Sequence, residues 1–173
     1  AIPPKSHFAF QTSEVCDAIT DRTRIIFLTN PNNPTGQLIP RDAIREIARR
    51  LPPGAAIVLD EAYYDFCGET FLPELDAHPN VVIGRTFAKA HGLAGLRAGC
   101  LIGDPGRLEA IRNVVPPYSL SVFAAAGWPL AVISAPSNPP DTPFGAPLRP
   151  TNFPVQSTGS LAAMGVAPAR SRA

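Results

Sequence analysis

The chain has 173 residues, 45% of them hydrophobic, and its 15 Lys and Arg against 14 Asp and Glu leave a formal charge of +1. That length supports one domain with its own core, the scattered and balanced charge argues against a nucleic-acid surface, and no apolar run approaches the roughly 20 residues of a membrane span. Three cysteines, Cys16, Cys67 and Cys100, stand far apart without any short Cys/His spacing. This argues against a disulfide framework and a zinc site, and makes a reducing cytoplasm the expected location.

Between about residues 13 and 131, short aliphatic runs alternate with longer amphipathic ones, the pattern of an α/β domain with a mostly parallel sheet and flanking helices. Ile25-Ile26-Phe27-Leu28 reads as a buried strand. Asn30 to Pro40 is a turn-rich loop, and Arg41 to Leu51 a helix with Ala43, Ile44, Ile47, Ala48 and Leu51 on one face. Pro52-Pro53-Gly54 stops it. Ala55 to Leu59 forms the next strand and ends on Asp60, while Asn80 to Phe87 forms another and ends near Lys89. Ala98 to Gly103 is a further strand, and Pro105 to Val114 a helix with proline in its first turn. In open α/β sheets ligands bind outside the carboxyl ends of the strands, so Asn33, Asp60 and Lys89 are expected to converge. From Pro136 to Pro154 the chain carries seven prolines in nineteen residues, and the small residues that follow offer little to pack. The expected division is therefore a folded unit over 1–131 and a disordered, proline-rich tail over 132–173.

Lys89 lies in Arg85-Thr86-Phe87-Ala88-Lys89-Ala90-His91-Gly92-Leu93-Ala94-Gly95-Leu96-Arg97, directly after an apolar strand. A lysine so placed, with a hydroxyl three residues before it and an arginine eight after, suits a Schiff base beside a bound phosphate. The turn Asn30-Pro31-Asn32-Asn33-Pro34-Thr35-Gly36 can aim an asparagine amide inward, although such turns are common. In Ile57-Val58-Leu59-Asp60-Glu61-Ala62-Tyr63-Tyr64 a carboxylate ends a strand and a phenol follows one short turn later. Strands ending in Asp-Glu also hold magnesium in nucleoside triphosphatases. Those need a Gly-x-x-x-x-Gly-Lys-Ser/Thr loop, which this sequence does not contain.

Together Asn33, Asp60, Tyr63, Thr86, Lys89 and Arg97 have one economical explanation, pyridoxal 5'-phosphate. A buried Asp60 would keep the ring nitrogen protonated, Asn33 and Tyr63 would hydrogen-bond the ring phenolate, Lys89 would form the imine, and Thr86 and Arg97 would hold the phosphate. No metal is expected. Among the remaining candidates, His91 reads as packing locally, His7 and His78 as solvated, Cys100 as a buried strand residue, Glu61 as a structural neighbour of Asp60, and Tyr64 as packing or surface.

With these motifs in order, residues from about 5 to 125 resemble the fold-type I pyridoxal-phosphate-dependent aminotransferases of class I/II, histidinol-phosphate aminotransferases most closely. The resemblance implies that 1–131 is part of the large, cofactor-binding domain. It also implies a transaminase acting on histidinol phosphate or an aromatic amino acid with a 2-oxo acid, in histidine or other amino-acid biosynthesis, as a homodimer. It assigns catalysis to Lys89 and cofactor binding to Asn33, Asp60, Tyr63, Thr86, Lys89 and Arg97. Ala88 stands where relatives often carry serine. The family's preceding segment, with a phosphate-binding helix and a ring-stacking aromatic, and its smaller C-terminal domain have no counterpart here, so the chain reads as a fragment. The alternative expectation is a catalytically inactive remnant that at most binds cofactor or docks on an intact homologue.

Overall fold

The computed structural model describes residues 2, 8–116, 119–126 and 166–168. Their α-helices and strands include α1 (Thr12–Asp17), β1 (Ile25–Thr29), α2 (Arg41–Arg50), β2 (Ala56–Asp60), α3 (Tyr64–Cys67), β3 (Val81–Thr86), β4 (Gly99–Gly103), α4 (Pro105–Arg112) and β5 (Val166–Pro168). The strands form one sheet in the order β1-β2-β3-β4-β5, parallel throughout except for the antiparallel β3–β4 pair. This is the expected mostly parallel sheet, with its order now visible.

α2 forms where the sequence pattern places it. Ala43, Ile44, Ile47 and Ala48 are buried along one stripe, Asp42 sits in the first turn, and Arg49 and Arg50 sit in the last, so charge complements the helix dipole at both ends. The chain turns extended at Leu51, before Pro52 and Pro53. α4 begins on Asp104, whose carboxylate accepts the amide hydrogen of Arg107 at 3.0 Å, and Pro105 occupies the first turn where no donor is needed.

The core lies on one face of the sheet. Leu28, Ile57, Leu59, Val81, Ile83 and Ile102 pack there against Ile44 and Ile47 of α2, Cys16 of α1, and Phe71 and Leu75 from the segment between α3 and β3. Register puts Leu59, Ile83 and Ile102 side by side across three strands. Because side chains alternate across a strand, the neighbours of these residues must face the other way. Thus Phe27, Val58, Asp60, Gly84, Thr86, Gly99 and Leu101 occupy the second face, by the same registers.

That division corrects two expectations. β1 is not a buried strand: only Leu28 is buried, while Phe27 is 74% and Ile25 54% exposed, because β1 is an edge strand and no described helix covers its second face. Asp60, at the carboxyl end of β2, is exposed rather than buried because it points to that same second face. Val166–Pro168 pairs with β4 along Leu101, Ile102 and Gly103. A chain edge left open by β4 can take any extended segment through its backbone groups, whatever its side chains. The remainder of the tail, the expected boundary at 131/132 and His7 lie outside the described residues.

Candidate functional site

The loop after β1 ties itself down. Asn30 extends the β1–β2 pairing by donating its amide hydrogen to the Asp60 carbonyl at 2.8 Å, and its buried Oδ1 accepts from the Ile39 amide at 2.8 Å, so loop entry and exit are joined. Inside, the Asn32 side chain donates to Thr35 Oγ1 at 2.8 Å and the Gly36 amide to the Asn32 carbonyl at 2.7 Å. Gly36 takes a positive φ of 70°, which glycine adopts without steric cost. With its neighbours so occupied, Asn33 projects outward, and its Nδ2 donates to Tyr63 Oη at 2.8 Å.

β2 ends on Asp60, whose Oδ1 accepts from the Ala62 amide at 2.9 Å and starts the turn that carries Tyr63. Lys89 lies in a loop of 87–98 closed at its base by the Phe87 amide donating to the Ala98 carbonyl at 3.1 Å. Lys89 Nζ stands 5.6 Å from the centre of the Tyr63 ring, within cation–π reach. Tyr63 therefore stands between Asn33 and Lys89, hydrogen-bonded to the one and 5.6 Å from the other's amine. Thr86, last in β3, accepts from the Ala88 amide through Oγ1 at 3.2 Å. Arg97 lies one residue before the closing carbonyl, with φ at 53° and its Nη1 donating to the Ala94 carbonyl at 3.2 Å.

Asp60 and Thr86 open into one cleft of about 430 Å³ on the second face of the sheet, bordered also by Gly84, Gly99 and Leu101. That volume suits a small ligand, since such sites run from roughly 300 to 1,000 Å³. Its floor is bare: Gly84 lies level with Asp60, and a Cβ built there would meet only Leu101 Cδ2, at 3.7 Å. The residues fit a flat, phosphorylated ring such as pyridoxal phosphate. A carboxylate and a hydroxyl flank an uncluttered glycine floor, and a phenol, an amide and an amine meet at the loop end.

Beneath this cleft, on the core face, lies a cluster that sequence reasoning missed. Glu61 is 1% exposed. Its carboxylate accepts from the Phe71 amide at 2.8 Å, from Thr70 Oγ1 at 2.8 Å, and from Arg85 Nε and Nη2 at 3.1 and 2.8 Å. Arg85, with its side chain 9% exposed, also stacks its guanidinium 3.7 Å above the Tyr64 ring. The signal available in the sequence was the pair of charges flanking Asp60 and Thr86 on their inner sides, but their facing depends on strand register. Tyr64 is thus a stacking partner, and His78 packs its ring 5.5 Å from Phe71 instead of standing in solvent. His91 makes an edge contact with Phe87 and lies 3.8 Å from Asp65, the local packing expected of it.

Burial pushes the Cys100 thiol up to about 11. No group of His, Cys, Asp and Glu among the described residues could hold a metal, and no helix there is long and apolar enough to cross a membrane.

Residues 2–139 match the family described as aminotransferase class I and II. An aromatic amino acid aminotransferase of Mycobacteroides abscessus is 41% identical over 128 residues, which cover 72% of this chain and 37% of that protein. Histidinol-phosphate aminotransferase 2 of Legionella pneumophila strain Paris is 36% identical over 130 residues, 73% of this chain and 35% of that one. Among solved structures, the histidinol-phosphate aminotransferase of Sinorhizobium meliloti, in complex with pyridoxal 5'-phosphate, superposes with a TM-score of 0.67 at 28% identity, covering 77% of this chain and 37% of that one. The chain spans little more than a third of the length of the curated relatives it matches.

Proposed function

The chain belongs to the class I and II aminotransferase family, and from that membership we propose that it moves an amino group between an amino acid and a 2-oxo acid, using pyridoxal phosphate held in the Asp60–Thr86 cleft. Its mixed sheet with flanking helices is part of the large domain of the fold-type I pyridoxal-phosphate transferases. The observation that carries the reading is a glycine-floored cleft lined by Asp60, Ala62 and Thr86, with Tyr63, the residue after Ala62, hydrogen-bonded to Asn33 and its ring 5.6 Å from Lys89 Nζ.

When bound, the cofactor supplies a carbonyl that exchanges amino groups and a ring that withdraws electrons from the reacting carbon. Each residue then has a separate task. Asp60 holds the proton on the ring nitrogen, while Asn33 Nδ2 and Tyr63 Oη orient the ring oxygen. Thr86 Oγ1 and the Arg97 guanidinium bind the phosphate, arginine through paired charge-assisted bonds. Lys89 Nζ, on a flexible stem beside the Tyr63 ring, anchors the cofactor and carries a proton to and from the reacting carbon.

The donors proposed are aromatic amino acids and histidinol phosphate, the substrate classes named in the relatives. A homodimer working in the cytoplasm completes the reading, the location supported by three free thiols.

The test is to add pyridoxal phosphate to the purified chain, reduce with borohydride, and map the mass increment. It is expected on the Lys89 peptide, with Lys89→Ala abolishing it. No increment at Lys89 sinks the reading. An increment without amino transfer from phenylalanine, tyrosine or histidinol phosphate to 2-oxoglutarate would favour a non-catalytic cofactor binder.

A further inference from the structure

Three of the proposed cofactor residues have a member of the buried cluster as their immediate chain neighbour: Asp60 precedes Glu61, Tyr63 precedes Tyr64, and Thr86 follows Arg85. The sheet separates the two sets. Asp60 and Thr86 face the cleft, while Glu61 and Arg85 face the core and join each other through two hydrogen bonds. We infer that Glu61 is a positioning residue for the cofactor cleft, fixing from beneath the sheet the separation of Asp60 and Thr86 and the placement of Tyr63. The inference rests on the reading given under Proposed function.

Three observations support it. First, the ladder between β2 and β3 ends at Asp60 and Gly84, with one more bond from the Glu61 amide to the Gly84 carbonyl at 2.8 Å. Beyond that point no strand pairing holds residue 61 against residue 85, and the carboxylate–guanidinium fork supplies the crosslink where the cleft begins. Second, Arg85 is held from two further sides, by Thr70 Oγ1 at 2.8 Å and by the Tyr64 ring, so a planar fork has no freedom to rotate. Tyr64 opens the turn next to Tyr63, which transmits the same constraint to the phenol. Third, Glu61 is saturated by protein donors on the core face, and Asp60 is the neighbouring carboxylate that remains open to the cleft. Adjacent acids thus divide the work, one gripping the scaffold and the other facing the ligand.

The experiment compares the native chain with Glu61→Gln and with the paired change Glu61→Leu and Arg85→Met. Replacing both members of a buried ion pair by apolar groups of similar volume often leaves stability unchanged or raised, whereas removing one strands the other. Cofactor affinity is read by titrating the absorption band of lysine-bound pyridoxal phosphate, folding by thermal melting without cofactor, and site geometry by the pH at which the band shifts. Glu61→Gln is expected to weaken affinity by about tenfold, the usual order for a lost charged hydrogen bond. The paired variant is expected to melt close to the native chain yet to bind as weakly, with the band shifting at a different pH. Native affinity and an unmoved band in either variant, measured well below its melting point, would overturn the inference while leaving the functional reading intact. If the native chain itself traps no cofactor, both fail, and the native control shows which came first.

Discussion

Asn33 Nδ2 donates to Tyr63 Oη across 2.8 Å although thirty positions separate the two residues, joining the loop after β1 to the turn before α3. Asn33 is exposed, so the bond competes with water and contributes little to folding. Its consequence is orientation of two groups beside Lys89. Tyr63→Phe should therefore leave the melting temperature nearly unchanged and weaken pyridoxal phosphate binding by roughly three- to tenfold, the range of a single net hydrogen bond. Spectroscopic titration of the native and variant chains measures both. A variant that melts early but binds normally would contradict the assignment.

Arg97 sits at φ 53°, in the left-handed region that a side chain other than glycine enters at a cost of roughly 1–2 kcal/mol. Arg97→Ala keeps that strain and Arg97→Gly releases it, while both remove the guanidinium. The two variants should lose cofactor affinity alike, through the phosphate, but Arg97→Gly should be the more stable by about 1 kcal/mol in urea melts. Equal stability would show that the backbone relaxes here, and unequal affinity would show that strain, not charge, governs binding.

Acid sensitivity should trace to the other side of the core. Arg45 reaches Glu74 through Nε and Nη2 at 3.1 and 2.6 Å, tying α2 to the turn at Leu72–Glu74. This hydrogen-bonded guanidinium holds the Glu74 carboxyl below its ordinary 4.5. A carboxylate lowered in the folded state adds stability that is fully present above the unfolded value and is lost as pH falls through the folded one. Glu74→Gln should thus narrow the drop in melting temperature between about pH 5 and pH 3, leaving the dependence above pH 6 unaltered. A variant whose acid limb superimposes on the native one would assign that limb elsewhere.

How much of this was legible depends on whether neighbours in the fold are neighbours in the chain. Asp60 and Lys89 stand out as candidates because each closes or follows an apolar run, and strand ends share a side. Asn33 and Tyr63 followed from turns anchored to those strands. Glu61 and Arg85 could not be paired, since their contact requires knowing that Asp60 lies level with Gly84. Phe27 read as buried because a parallel strand is apolar on both faces, and only the arrangement of layers shows which face is covered. Pairing of Val166–Pro168 with β4 was equally hidden, because edge addition depends on backbone groups rather than side-chain pattern.

Two glycines on the same face separate folding from binding. A Cβ at Gly99 would lie 2.5 Å from the Arg85 carbonyl oxygen, and Gly99 pairs directly with Thr86, so the added methyl cannot be accommodated without opening the β3–β4 ladder. Gly99→Ala should cost about 1–3 kcal/mol, as overpacking does, and weaken cofactor binding as Thr86 moves. A Cβ at Gly84 meets only Leu101 Cδ2 at 3.7 Å, an ordinary contact, but it stands on the cleft floor beside Asp60. Gly84→Ala should keep or slightly raise stability, alanine being the better strand residue by roughly 0.5–1 kcal/mol, and still lose cofactor affinity by steric exclusion. Urea melts and borohydride trapping on the two variants decide the matter. Full trapping on a stable Gly84→Ala chain would move the cofactor off this floor, because no ring can lie flat against the sheet where a methyl group already stands.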